Sequence, residues 1–278
     1  MAPLYKKALI IGATSGIGEA IAAKLHKEGT SVIVTGRRRE LLDAFVASHP
    51  GSASAVVDIT ALDAIPAFAK SITQQHPDID CVILNAGIQR AFDFARPETL
   101  DLGVFAQEFN TNYVSCVHLV AALLPHLQRV AKEGEGKATH LVFVSASLGL
   151  APTMSRTPGY NASKAALHSW IINVRQQLKD AGYNTMRVVE VFPPAVQTEL
   201  HDERHQPDMV NGGEIGMPLA AYTERMYEGL QKGDEQFAIG HAEDWFKEGG
   251  FEAQRAKIFE QGHVMIKQNL AKYLKDTP

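Results

Sequence analysis

Six short apolar runs recur along the chain, at residues 7–12, 31–35, 53–57, 81–84, 139–145 and 187–192, and most of them are continuous rather than alternating. Successive strand side chains point to opposite faces of a sheet, so a continuous apolar run is a strand buried on both sides. Amphipathic stretches of helical length lie between the runs, at 17–28, 40–48, 61–75, 100–131 and 160–181. Strand and helix in alternation produce a parallel sheet covered by helices on both faces, an α/β chain of the doubly wound kind. With 278 residues and 45% hydrophobic content there is material for that core, and one domain over 1–278 is expected.

The alternation stops after Thr198. Residues 199–217, ELHDERHQPDMVNGGEIGM, are polar, glycine-rich and histidine-containing. They read as a substrate-binding lid, a mobile loop or short broken helix over the sheet, with an inert surface excursion as the alternative. Residues 131–138, AKEGEGKA, read as a solvated turn. A further helix is expected at 219–231 and a short last strand at 236–240. A helical tail over 245–278 carries an apolar stripe of Ile258, Phe259, Val264, Ile266, Leu270, Tyr273 and Leu274, interrupted by Gly262. Packing or a subunit contact explains such a stripe more simply than membrane association.

The formal charge of −4 and a pI near 6.3, with basic residues only in short groups such as Arg37-Arg38-Arg39, argue against a nucleic-acid partner. Cys81 and Cys116 sit in apolar segments and read as reduced core thiols. The N-terminal MAPLYKKALIIG lacks the apolar core of a secretory signal, so a soluble, cytoplasmic protein without membrane association is expected.

Chemistry enters at the first strand-to-helix junction, LIIGATSGIGEAIAAKL, where Gly12, Gly16 and Gly18 stand with Thr14, Ser15 and Ile17. Bare backbone there can bend sharply, approach a ligand closely and aim the helix's first N–H groups at a phosphate. The spacing G-x-x-x-G-x-G differs from the strict dinucleotide fingerprint, and no Lys-Ser/Thr follows as an ATP-type loop requires. The second strand ends in VTGRRREL. Gly36 stands where a carboxylate would bind the ribose hydroxyls, and Arg37 and Arg38 offer charge for a 2′-phosphate or else cap the next helix. NADP(H) is therefore preferred over NAD(H). Asp58, followed by Ile59, either accepts from the adenine amino group or caps the next helix. In LNAG, Asn85 ties strand ends together while Ala86 and Gly87 leave room for the adenosine half.

The reacting group is expected in YNASKAALHSW, where Tyr160 and Lys164 lie four apart on one helical face. An ammonium beside a phenol favours phenolate, and lowering its pKa from ~10 toward ~7 requires roughly 4 kcal/mol of differential interaction. Such a tyrosine donates a proton to a carbonyl oxygen as hydride arrives, or takes one from an alcohol in reverse. Ser147, thirteen residues earlier, can hold the substrate oxygen, with Ser145 as competitor. Asn112 either carries a water-linked proton path toward Lys164 or is a satisfied helix-interior amide. His201 and His205 read as lid or surface groups rather than metal ligands, and no metal is expected.

Taken jointly, these motifs resemble the classical short-chain dehydrogenase/reductase family over roughly residues 5–240. The match places the family's glycine turn on Gly12, Gly16 and Gly18, its N-N-A-G on Asn85-Ala86-Gly87, and its active group on Asn112, Ser147, Tyr160 and Lys164. Ile11 and Leu84 replace polar residues of the family pattern. Pro194 replaces a glycine in FPPAVQTEL, where Pro193, Val196 and Thr198 resemble the residues bracketing the carboxamide and pyrophosphate. The resemblance implies a Rossmann-like sheet, hydride transfer between NADP(H) and a small-molecule carbonyl or secondary alcohol, and a homodimer or homotetramer. A cofactor-binding sensor or scaffold without turnover, and a nicotinamide-dependent epimerase or dehydratase, are the alternative readings. Residues 91–97, 148–158 and 199–217, with Phe92, Phe94, Leu148, Leu150 and Met154, are expected to line an apolar-tolerant pocket.

Overall fold

In the computed structural model, which describes residues 2–134 and 138–273, all the expected strands form, within one residue at each end apart from a shorter last one. They are β1 (Lys7–Ile11), β2 (Ser31–Gly36), β3 (Ala53–Val56), β4 (Cys81–Leu84), β5 (Thr139–Val144), β6 (Met186–Phe192) and β7 (Gln236–Ala238), and all pair in parallel in the order β3-β2-β1-β4-β5-β6-β7. Part of the turn expected at 131–138, and Leu274 of the tail stripe, lie outside the described residues.

The continuous apolar runs have the cause inferred from them. Leu9 and Ile11 of β1 face one layer with Val82, Leu141 and Phe143, against α3 (Ile65–Gln75), α5 (Ser115–Glu133) and α6 (Pro158–Asp180). Ala8 and Ile10 face the other with Val34, Ile83 and Val142, against α1 (Gly16–Lys27), α2 (Arg39–Ser48) and α7 (Leu219–Lys232). Only the edge strand β3 alternates in exposure. Both cysteines are buried free thiols.

Sheet order reverses between β1 and β4, and in open α/β sheets that switch point opens a crevice at the carboxyl ends of the strands. Every expected strand-end motif therefore arrives on one edge of the sheet: the glycine turn after β1, the arginines after β2, Asp58 after β3, Asn85–Gly87 after β4, Ser147 after β5 and the proline segment after β6.

The helix expected over 100–131 runs as α4 (Leu102–Phe109) and α5, joined by a π-helical turn at Asn110–Val114. By length and composition Leu102–Glu133 is apolar enough to cross a bilayer; in this fold Leu119, Leu123 and Leu127 are buried against the sheet. Its start is fixed by Asp101, whose carboxylate accepts from the Gly103 and Val104 amides at 2.8 and 3.0 Å. Asp101→Ala is expected to cost about 1 kcal/mol, a fall of roughly 2–3 °C in Tm by calorimetry.

The chain divides into two compact units, Met1–Ile239 and Gly240–Pro278, and the sheet with its helices occupies the first. The second contains the expected helical tail, α8 (Phe251–Leu270), which passes through Gly262 without a break.

Candidate functional site

The turn after β1 is built by exclusion of side chains. Gly12 adopts φ +86°, and a Cβ there would lie 2.6 Å from the Ala86 Cα. A Cβ on Gly18 would be driven into the Gly12 carbonyl oxygen. Asn85 Nδ2 donates to that same carbonyl at 2.7 Å, so the amide ties the ends of β1 and β4 together as expected. Gly12, Gly18, Asn85 and Ala86 thus form one packed floor at the switch point.

Ser15 occupies the N-cap position of α1 without capping it. Its hydroxyl donates instead to Glu199 Oε2 at 2.8 Å and accepts from Arg38 Nη2 at 2.7 Å. Arg38 also donates to Thr14 Oγ1 through Nε at 3.2 Å and Nη2 at 2.8 Å, and to Glu199 Oε2 through Nη1 at 2.9 Å. Its guanidinium therefore lies over the glycine turn rather than capping α2. Gly36 leaves room there for the methyl group of Thr14. Gly16 faces the Thr198 methyl, and Ile17 packs into the layer beneath.

Arg37 is exposed, and Asp58 forms its own turn, accepting from the Thr60 amide at 2.9 Å and hydroxyl at 2.7 Å. The helix-cap reading of Asp58 is corrected, since α3 begins only at Ile65 after a 3-10 turn. Burial raises the Asp58 carboxyl, but the Thr60 bonds and the Arg37 charge outweigh it and hold the group below its ordinary value. The Ile59 side chain is buried in the core.

Beyond the end of β4, Gly87 adjoins two polar groups at once: a Cβ there would lie 3.2 Å from Asn112 Oδ1 and 3.8 Å from Lys164 Nζ. The Asn112 amide clamps Ile88, accepting from its N–H and donating to its carbonyl, both at 2.9 Å, and donates to Ser163 Oγ at 3.1 Å. Both amide protons are committed, the arrangement of a satisfied helix-interior amide. The π turn lies on this residue, a common place for such an irregularity near functional groups.

Lys164 donates to the Val144 carbonyl at 2.9 Å, and its Nζ lies 5.8 Å from the Tyr160 ring centroid. Ser147 opens a 3-10 turn, Ser147–Gly149, that packs against α6 at Lys164. The Ser147 amide donates to the Pro193 carbonyl at 3.1 Å. Ser145 remains on the ladder to β6, its hydroxyl buried without a hydrogen-bond partner. Lys164 is thus the shared neighbour: α6 sets it beside Tyr160, the Gly87 backbone brings it near Asn112 of the π turn, and the turn opened by Ser147 packs against it.

Electrostatics correct one expectation. Burial pushes the Tyr160 phenol up from its ordinary value, and the Glu108 carboxylate pushes it further, where lowering by Lys164 was expected. Burial also lowers Lys164. Desolvation dominates because both groups lie in the protein interior.

Glu108 is the residue that sequence reasoning missed. It is fully buried, Oε1 accepts from the Arg90 amide at 2.6 Å, and Oε2 has no hydrogen-bond partner and packs against Gly159, next to Tyr160. Burial raises its carboxyl to about 7, against the lowering effect of the Arg90 bond. The available signal was an acid four residues before Asn112, inside an apolar helix.

The 199–217 segment contains two short 3-10 turns, Glu199–His201 and Gly212–Glu214, rather than a broken helix. Its base is stitched: Met217 N donates to Ala195 O at 2.9 Å, Gln197 N donates to Met217 O at 3.0 Å, and Val196 bridges Met217. Thr198 follows directly. The segment is also tied farther out, where buried Gln206 donates to Gln89 Oε1 at 3.0 Å and accepts from Arg156 Nη1 at 2.5 Å. His201 contacts Gln206, while His205 turns to Asp202. Among the described residues no group of three or more His, Cys, Asp or Glu is placed to hold a metal ion.

Phe92 and Leu150 are buried, while Phe94 is 58% exposed. A cavity of about 430 Å³ is lined by Leu148, Gly149, Pro152, Asn161, Ala162 and Ala165, among others. Tyr160 and Ser147 are not on its wall, because Asn161, Ala162 and Ala165 lie on a different face of α6 from Tyr160 and Lys164.

A family model described as short chain dehydrogenase matches residues 6–208. The oxidoreductase DltE of Bacillus subtilis is 29% identical over 256 residues, 91% of this chain and 94% of that protein. A short-chain dehydrogenase structure from Streptomyces avermitilis superposes with a TM-score of 0.72 at 24% identity, covering 94% of this chain and 97% of that one. A short-chain dehydrogenase from Sphingobium yanoikuyae in complex with NADPH gives 0.70 at 20% identity, covering 98% and 97%.

Proposed function

The chain belongs to the short-chain dehydrogenase family, and on that premise we propose that it is an NADP(H)-dependent oxidoreductase that reduces a small-molecule carbonyl, or oxidises the corresponding secondary alcohol. The observation that carries this reading is the convergence of Lys164, Asn112 and Gly87 beyond the end of β4, beside the side-chain-free turn after β1. The cradle suits a phosphorylated dinucleotide: Thr14 and Ser15 supply hydroxyls, Arg38 supplies charge, and a carboxylate already sits there as an anion would. The NADPH-bound relative from Sphingobium yanoikuyae supports the same choice.

NADPH, when bound, supplies the hydride. Gly12, Gly16, Gly18 and Ile17 form the floor for its pyrophosphate, with Arg37, Arg38, Asp58 and the Ile59 backbone at the adenosine end. Asn85, Ala86 and Gly87 shape the crevice, and Pro193, Val196 and Thr198 flank the nicotinamide side. Tyr160 gives its phenolic proton to the carbonyl oxygen, and Ser147 orients that oxygen. Lys164 places positive charge beside Tyr160, and Asn112 positions the segment at Ile88. A panel of aldehydes and ketones, read by loss of reduced-nicotinamide absorbance with NADPH and with NADH, tests the proposal. Turnover of none of them by a protein that binds NADPH would refute it.

Glu108 acts on Tyr160 through charge. Above pH ~7 its carboxylate opposes phenolate formation, so Glu108→Gln is expected to lower the alkaline pKa in the pH profile of alcohol oxidation. Stability carries a second signature. An acid raised from 4.5 to about 7 by folding stabilises the fold below 4.5 and loses that contribution as pH rises through about 7. The Tm of Glu108→Gln relative to wild type should therefore rise across that window; a pH-independent difference would contradict this role.

A further inference from the structure

Glu199 places a carboxylate where the proposed cofactor needs an anion. Its Oε2 accepts simultaneously from Ser15 Oγ at 2.8 Å and Arg38 Nη1 at 2.9 Å, while the same guanidinium covers Thr14. These contacts span the start of the 199–217 segment and the first two strand ends, far apart in sequence. We propose that Glu199 is an internal substitute for the cofactor's 2′-phosphate, holding Arg38 over the glycine turn until a 2′-phosphorylated nucleotide displaces it, and so sets the selectivity between NADP(H) and NAD(H).

This rests on the cofactor reading above and adds a competitor to it. The carboxylate is ionised at neutral pH: burial raises it, but the bonds from Arg38 and Ser15 outweigh burial and hold it below the ordinary glutamate value. The competing pair is partly exposed, with side chains 33% and 44% accessible, so exchange with a dianionic phosphate needs no unfolding. A phosphate offers more charge and more acceptor oxygens to the same guanidinium and hydroxyls than one carboxylate does. A nucleotide lacking it leaves Glu199 and Arg38 paired.

Calorimetric titration of the full chain with NADPH, NADH, 2′,5′-ADP and 5′-AMP tests this. Glu199→Gln is expected to tighten NADPH and 2′,5′-ADP by about fivefold, the scale of a partly exposed ion pair, and to shift NADH and 5′-AMP by less than about twofold. The gain should shrink at high salt and disappear in Arg38→Gln. Equal tightening of all four ligands, or none, overturns the competition while leaving the cofactor assignment intact if wild type still prefers NADPH. Wild-type protein that binds neither dinucleotide overturns the cofactor assignment, and the competition with it.

Discussion

Tyr160→Phe is expected to lower kcat for carbonyl reduction about a thousandfold while NADPH affinity stays within about twofold of wild type. The substitution removes one oxygen and preserves the ring that packs beside Lys164, so fold and cradle are left in place. Burial and Glu108 both keep the phenol protonated at neutral pH, the form needed to donate in the reductive direction. Oxidation of an alcohol needs the other form, so its rate should climb with pH well into the alkaline range, whereas reduction should not. Retention of more than a tenth of wild-type turnover by Tyr160→Phe would remove this residue from the chemistry.

The second large effect is at Gly18. In an ordinary helix interior, replacing glycine by alanine gains about 1 kcal/mol from reduced backbone entropy. Here the added carbon runs into the Gly12 carbonyl, which Asn85 already holds from the other side. Backbone cannot swing away as a flexible side chain would, and overpacking of this kind costs typically 1–3 kcal/mol or more. The clash wins, and Gly18→Ala should lose about 2 kcal/mol net, roughly 4–8 °C in Tm by calorimetry, together with at least tenfold in NADPH affinity. An unchanged Tm would mean that the turn relaxes freely and that its tight packing has no role.

The sheet was readable because strands buried on both faces leave an unbroken apolar record; with the alternating edge strand β3, six apolar runs fall within a residue of the observed strands. The glycine turn and the Tyr160–Lys164 face were readable for a similar reason: each is a local pattern with a fixed geometric consequence. Tertiary effects were not. The sign of the shift at Tyr160 depends on burial and on Glu108, which comes from another helix, and helical spacing reports neither. Arg38 pairs with Glu199 across 161 positions, and Gln206 with Gln89 across 117, so no sequence window contains both partners. The π turn at Asn112 was equally silent, because its sequence, NTNYV, holds no glycine or proline that would mark an irregular turn.

The backbone stitching of Ala195 and Gln197 to Met217 has a consequence for how such enzymes diversify. Chain entropy for closing a loop grows only slowly with length once the base is fixed. Insertions in the excursion above that base therefore cost the sheet below little where they fall between the ties that Glu199 makes to Arg38 and Gln206 makes to Gln89, and leave both in place. The length of this segment can change while the strand ends below it stay unaltered.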